Sequence, residues 1–259
     1  MSTASDARVV AASLSGASDA GWARRAAPHV DLALLGGLAL DRPTRAAARR
    51  LVVRGRDEFL PPDPVAFVDE QFRALADAPV RPGINVRAAS PDPVAAVARV
   101  CARHDGVLEV NAHCRQAEMC AAGAGEALLA DPERLRAQVA AAANAGATTC
   151  VKARAEVAGV DLPAVARTVA AAGGDAIHVD AMDSEPVVAD VAAAADLHVV
   201  ANNGVRDRST VREYLAHGAD AVSVGRPSDD PAVLRRVRRA VDDLLDGDVD
   251  PDREREAPA

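Results

Sequence analysis

The chain has 259 residues, 49% of them apolar but only 2% aromatic, so any core must be built largely from Ala, Val and Leu, as in layered parallel sheets with small-residue helices. Its 38 acidic and 30 basic residues give a net charge of −8, which argues against a strong non-specific grip on nucleic acid or anionic membrane, although a local basic patch would still serve an RNA substrate. No run approaches the roughly 18 apolar residues of a membrane helix, the start MSTASDARVV lacks a leader pattern, and Cys101, Cys114, Cys120 and Cys150 form no CxxC pair; a soluble cytoplasmic protein with reduced thiols is expected.

The first strand is expected at 8–12 (RVVAA), emptying into the turn formers SLSGASD at 13–19. A second, at 31–35 (DLALL), ends at Gly36 and Gly37. Asp41 then caps a helix over DRPTRAAARRLVV, and the prolines at 61, 62 and 64 mark a loop before a helix at 65–76. Third and fourth strands follow at 80–86 (VRPGINV) and 107–110, with helices at 93–103 and, capped by Asp131, at 132–145. Strands at 148–152 (TTCVK), 176–179 (AIHV), 197–201 (LHVVA) and 221–224 (AVSV) alternate with helices at 162–172, 186–194, 209–217 and 231–245. Eight βα units in a chain of this length predict an α/β fold, a single-domain (β/α)8 TIM barrel over residues 1–245. The acidic stretch 246–259 (DGDVDPDREREAPA) is expected to be a disordered tail.

In such a barrel the loops after the strands build the site. Here they read SLSGASD, GG, NVR, NAHCRQ, KAR, HVD, NNG and GR, whereas the loops leading into the strands (HDG, AGA, AGGD, HGAD) are repetitive turns. Gly204 after strand seven, and Gly225 with Arg226 after strand eight, stand where many barrels bind a phosphate through backbone N–H groups, with the arginine adding a fork-shaped charge. Lys152, the sole lysine of the chain, ends strand five; it reads as a donor to a flavin or substrate carbonyl, or as a Schiff-base lysine. Arg154 shares its face, as Asp180 shares that of His178. Cys101 and Cys150 read as buried small hydrophobes. Cys114 differs, being set among Asn111, His113, Arg115 and Gln116; Cys120 lies six residues on, and His113, Cys114 and Cys120 match no trusted zinc spacing, so no metal is expected.

The order NAHC, GAGEALL, VKAR, a His after the next strand, ANNG and GADAVSVGR resembles the FMN-dependent dihydrouridine synthases, specifically archaeal, barrel-only members. That family has N-x-x-C at the fourth strand end, VK-x-R, a His, NGD or NGG, and GAD-x-V-M-x-GR. AASLSGASD is similar to its flavin loop, and the likeness runs from about Val9 to Pro231. The resemblance implies that Cys114 is the acid protonating C5 of a uracil ring as flavin N5 exchanges hydride at C6, with NADPH as reductant and a uridine-containing substrate, such as tRNA, as partner. It assigns Lys152 to the flavin N1 and C2 carbonyl region and to catalysis. Ser13, Ser15, Gly16, Asn85, His178, Asn202 and Asn203 join it around the cofactor, and Gly204, Gly225 and Arg226 take the phosphate. Asn111, His113, Arg115 and Arg154 are assigned to the substrate. His113 and Arg115 stand where the family has glycine and proline, Ser13 where it has proline, and the family's arginine after the strand-six His is missing from HVDAMD. Dihydroorotate- or dihydropyrimidine-dehydrogenase-like chemistry on free pyrimidines, a lyase using Lys152, and a binding-only barrel are the alternatives.

Overall fold

The computed structural model describes residues 7–247. Eight parallel strands close into a barrel in chain order: β1 (Val9–Ala11), β2 (Leu32–Ala39), β3 (Arg81–Arg87), β4 (Val107–Ala112), β5 (Thr148–Arg154), β6 (Ala176–Asp180), β7 (His198–Asn202) and β8 (Ala221–Val224). The helices around it are α1 (Ala20–Ala26), α2 (Arg42–Val53), α3 (Pro64–Arg73), α4 (Pro91–Arg103), α5 (Ala117–Ala121), α6 (Pro132–Asn144), α7 (Leu162–Ala171), α8 (Val187–Ala194), α9 (Arg208–Ala216) and α10 (Pro231–Leu245). The chain is therefore a (β/α)8 barrel. Residues 248–259 of the expected tail lie outside the described residues.

Helix starts repeat one local device. The side chains of Asp41, Asp63, Asp131, Asp207 and Asp230 each accept a hydrogen bond from a backbone N–H of the first turn, and four of these helices carry Pro at one of their first two positions, where no donor is lost. At the opposite end of the barrel Asp31, Asp175 and Asp220 accept from the N–H groups of Val9, Thr149 and Val199, each the first or second residue of β1, β5 and β7. These carboxylates tie the turns to the strands.

Three details depart from the sequence reading. Helix α1 fills the connection after β1, where no helix was expected, and a second short helix, α5, follows β4. β2 does not stop at Gly36 and Gly37 but runs on, pairing Leu38 and Ala39 with Val86 and Arg87. Glycine is needed there because a Cβ on Gly36 would stand 2.5 Å from the Asn85 carbonyl oxygen, and one on Gly37 would stand 2.8 Å from Asn85 Oδ1. β4, β5 and β6 also continue to Ala112, Arg154 and Asp180, so residues read as loop are still strand.

Alternation along the strands divides the barrel interior into layers. Its floor is an apolar cluster that includes Val10, Leu34, Val107, Cys150, Ala176, Val200 and Ala221. Two residues further along, the same faces carry Glu109, Lys152, His178, Asn202 and Ser223, all buried. The main core lies outside the sheet, between strands and helices, and the polar interior is thus enclosed on its flanks by packed aliphatic side chains.

Candidate active site

A continuous hydrogen-bonded chain crosses the barrel above the floor. Asn111 Nδ2 donates to Asn85 Oδ1 (2.8 Å), Asn85 Nδ2 to Glu109 Oε1 (2.6 Å), and Glu109 Oε2 lies 2.7 Å from His178 Nδ1. His178 Nε2 is 2.7 Å from Ser223 Oγ, which also accepts from Asn202 Nδ2 at 2.5 Å. Burial works to raise the Glu109 carboxyl, but His178, the Lys152 ammonium and the Asn85 amide together hold it below the usual carboxylate range. Burial and the charge of Lys152 push His178 below its ordinary value, which favours the neutral ring. A neutral imidazole facing a carboxylate at Nδ1 carries its proton there, and Nε2 accepts the Ser223 hydroxyl.

Above this chain the strand ends enclose a cavity of about 570 Å³, within the range of small-molecule sites. Lys152 reaches it from β5, Asp180 from β6, Asn202 from β7 and Ser223 from β8. Lys152 is only 5% exposed and makes no hydrogen bond or ion pair to another described residue. On the β7 and β8 side the rim is Asn203, Gly204, Gly225 and Arg226. Asn203 and Gly204 take left-handed backbone (φ +96° and +67°), and the space beside the Gly225 Cα is open. Tyr214 of α9 braces this rim from behind, its hydroxyl donating to the carbonyls of Asn202 (3.2 Å) and Asn203 (2.8 Å). Arg226 is exposed and forms no ion pair with a described residue.

The remaining sequence-selected residues fall in different places. Ser13 lines the cavity, but Ser15 and Gly16 do not; Gly16 packs on the 57–58 backbone, where a Cβ would come within 2.3 Å of Asp57. Asn85 and His178 lie in the layer beneath. Asn111 clasps its own loop, its Oδ1 accepting from the backbone N–H groups of His113 (3.2 Å) and Cys114 (2.8 Å). Cys114 is half-buried against the cluster of Leu51, Met119 and Ala124 and is not part of the cavity wall. Arg115 is exposed, and Arg154 is turned to Glu126 (3.1 Å). Of the NAHCR stretch, His113 is the side chain the structure brings to the cavity, with Nε2 2.5 Å from Asp180 Oδ2. Cys101 and Cys150 are buried, and burial pushes the Cys101 thiol up to about 12.

Three participants escaped the sequence reading. Glu109 and Ser223 sit inside strands, and the signal that finds them is a polar residue at an inward position of a buried run, VLEVNA and AVSV. Arg206 follows β7 and joins the rim. Among the described residues no group of three or more His, Cys, Asp and Glu side chains is placed to hold a metal ion, and no helix is long and apolar enough to cross a membrane.

No protein-family model matches the chain. An uncharacterized protein of Methanocaldococcus jannaschii is 29% identical over 133 residues, 51% of this chain and 52% of that protein, so the chain matches about half the length of this relative. Solved structures share the fold at low identity. A putative lyase/mutase from Burkholderia cenocepacia is 18% identical with a TM-score of 0.58, covering 93% of this chain and 85% of its own. The tryptophan synthase complex from Pyrococcus furiosus gives 12% and 0.55, covering 93% and 98%. FabK from Thermotoga maritima gives 16% and 0.54, covering 84% and 57%. These likenesses establish the barrel architecture, one that carries enzymes.

Proposed function

We propose that the protein is an FMN-dependent oxidoreductase that reduces the C5–C6 bond of uridine in RNA, tRNA included, with NADPH as the reductant. The observation that carries this reading is Lys152, almost wholly buried, without a hydrogen-bonding partner among the described residues, and opening onto a cavity with a glycine and arginine rim. An ammonium that faces a cavity without a hydrogen-bonding partner from a described residue is free to donate to a ligand acceptor, and a flavin carbonyl edge is such an acceptor. Gly204 and Gly225 leave room for a phosphate to approach the backbone, and Arg226 supplies a permanent charge beside it. Ser13 and Asn202 would contact the cofactor from either side. FMN, when bound, supplies the hydride; the chain holds and orients it. The motif order VKAR, ANNG and GADAVSVGR supports the same assignment.

Purified protein incubated with FMN and desalted is expected to retain a flavin spectrum, and Lys152→Met to lose it. Mass mapping of dihydrouridine in RNA treated with protein, FMN and NADPH tests the substrate; conversion of free uracil or orotate but not RNA would move the assignment to free pyrimidines. Absence of flavin binding, with borohydride trapping of a keto compound on Lys152, would replace the reading by a Schiff-base lyase.

A further inference from the structure

Cys114 and His113 are neighbours in sequence just past the end of β4, yet His113 faces the cavity and Cys114 packs away from it against Leu51, Met119 and Ala124. Cys114 is also held there. Its N–H is bound by Asn111 Oδ1 (2.8 Å), and its carbonyl oxygen accepts from the Glu126 N–H (2.9 Å) and the Cys120 thiol (3.5 Å). Gly125 approaches so closely that a Cβ there would stand 2.2 Å from the same oxygen. These contacts fix the Cys114 backbone and with it the direction of its Cα–Cβ bond.

His113 has the complementary geometry. Its Nε2 donates to Asp180 Oδ2 at 2.5 Å, and Asp180 Oδ1 accepts the Met182 N–H at 3.3 Å, so the carboxylate is fixed on both oxygens. Nδ1 has no hydrogen-bond partner among the described residues, and the ring, 32% exposed, forms part of the cavity wall. A carboxylate on one nitrogen fixes the orientation of the imidazole and leaves the second nitrogen to exchange a proton with a ligand.

We propose that His113, oriented by Asp180, is the proton donor to the substrate ring, in the place the resemblance gives to Cys114. This rests on the function proposed above. The C5–C6 double bond becomes a single bond: a hydride from the reduced cofactor adds at C6 and a proton from His113 Nδ1 at C5. The two electrons come ultimately from the nicotinamide, and the imidazole regains its proton from solvent at the cavity mouth. Asp180 is a positioning residue.

The test compares wild type with His113→Asn, His113→Gln, Cys114→Ala and Asp180→Asn, each loaded with FMN and reduced by NADPH without oxygen. Reoxidation by uridine-containing RNA is followed by flavin absorbance. Loss of a general acid costs about 10²–10⁴ in rate, so both His113 variants are expected to slow reoxidation at least a hundredfold. Flavin retention and reduction should stay within about twofold, and Cys114→Ala should slow reoxidation by less than a tenth as much. A Cys114→Ala loss larger than that of both His113 variants overturns the proposal. A second readout needs no flavin: diethyl pyrocarbonate should modify His113, uridine monophosphate should slow that modification, and Asp180→Asn should change its rate. If wild type takes up no flavin, the proposed function fails, while unslowed modification of His113 would show that the dyad faces no pyrimidine and overturn its assignment separately.

Discussion

Glu109→Gln isolates the buried charge at the centre of the barrel. The carboxylate accepts from Asn85 Nδ2 on one oxygen and from His178 Nδ1 on the other, with Lys152 as the nearby positive charge. Glutamine keeps the shape but removes the charge, has one acceptor and adds an N–H₂ group, so one of the two contacts must be lost or His178 must switch tautomer. A hydrogen bond to a charged group contributes about 1.5–3 kcal/mol, and removing one partner of a buried charge set costs about 3–5 kcal/mol; the single variant should therefore lose about 3–5 kcal/mol. At about 2–4 °C per kcal/mol for a domain near this size, its melting temperature should fall by about 6–20 °C. Adding Lys152→Met removes the ammonium left behind, so the double variant should lose less than the sum of the two singles, with a coupling of about 0.5–3 kcal/mol. Urea titration of the four proteins measures the cycle. Glu109→Gln within about 0.5 kcal/mol of wild type, or strict additivity, would refute the ionised, mutually compensated cluster.

Tyr214→Phe removes the hydroxyl that braces the Asn202 and Asn203 carbonyls; a loss of about 1 kcal/mol in stability is expected, together with weaker FMN retention measured by fluorescence titration. Asp207 caps α9 by accepting from the Thr210 N–H (3.0 Å), and that bond, with the Ser209 hydroxyl, holds its carboxyl down to about 2. Because the folded value lies below the unfolded one, the contribution is present above about pH 4 and is lost as pH falls toward 2; Asp207→Ala should cost about 1 kcal/mol at neutral pH, and the gap in melting temperature from wild type should close in acid. Gly125→Ala places a methyl against the Cys114 carbonyl at a residue with φ +65°. It should destabilise by at least about 1–3 kcal/mol and disturb the His113 loop, seen as faster modification of Cys114 by iodoacetamide.

Much of this site follows from the strand ends taken in order. Lys152, Asn202, Gly204, Gly225 and Arg226 were legible because polar and glycine residues ending successive strands of a barrel must share one mouth. Gly36 and Gly37 misled, since glycine normally punctuates a strand, yet here it admits a backbone that a Cβ would block. Glu109 was passed over because a single carboxylate in an apolar run has no local partner; its partners are Asn85 and His178, on other strands.

The sequence by itself determined the eight βα units and which ends of the strands are chemically rich, because hydrophobic period, aspartate caps and turn residues act within a few positions of one another. Only the tertiary structure decided which of two adjacent residues, His113 or Cys114, faces the cavity. That choice depends on the path of the loop just past β4, held by Asn111 and Glu126, and on Asp180, sixty-seven residues away, arriving on β6 at hydrogen-bonding distance. Spacing along the chain carries no information about either.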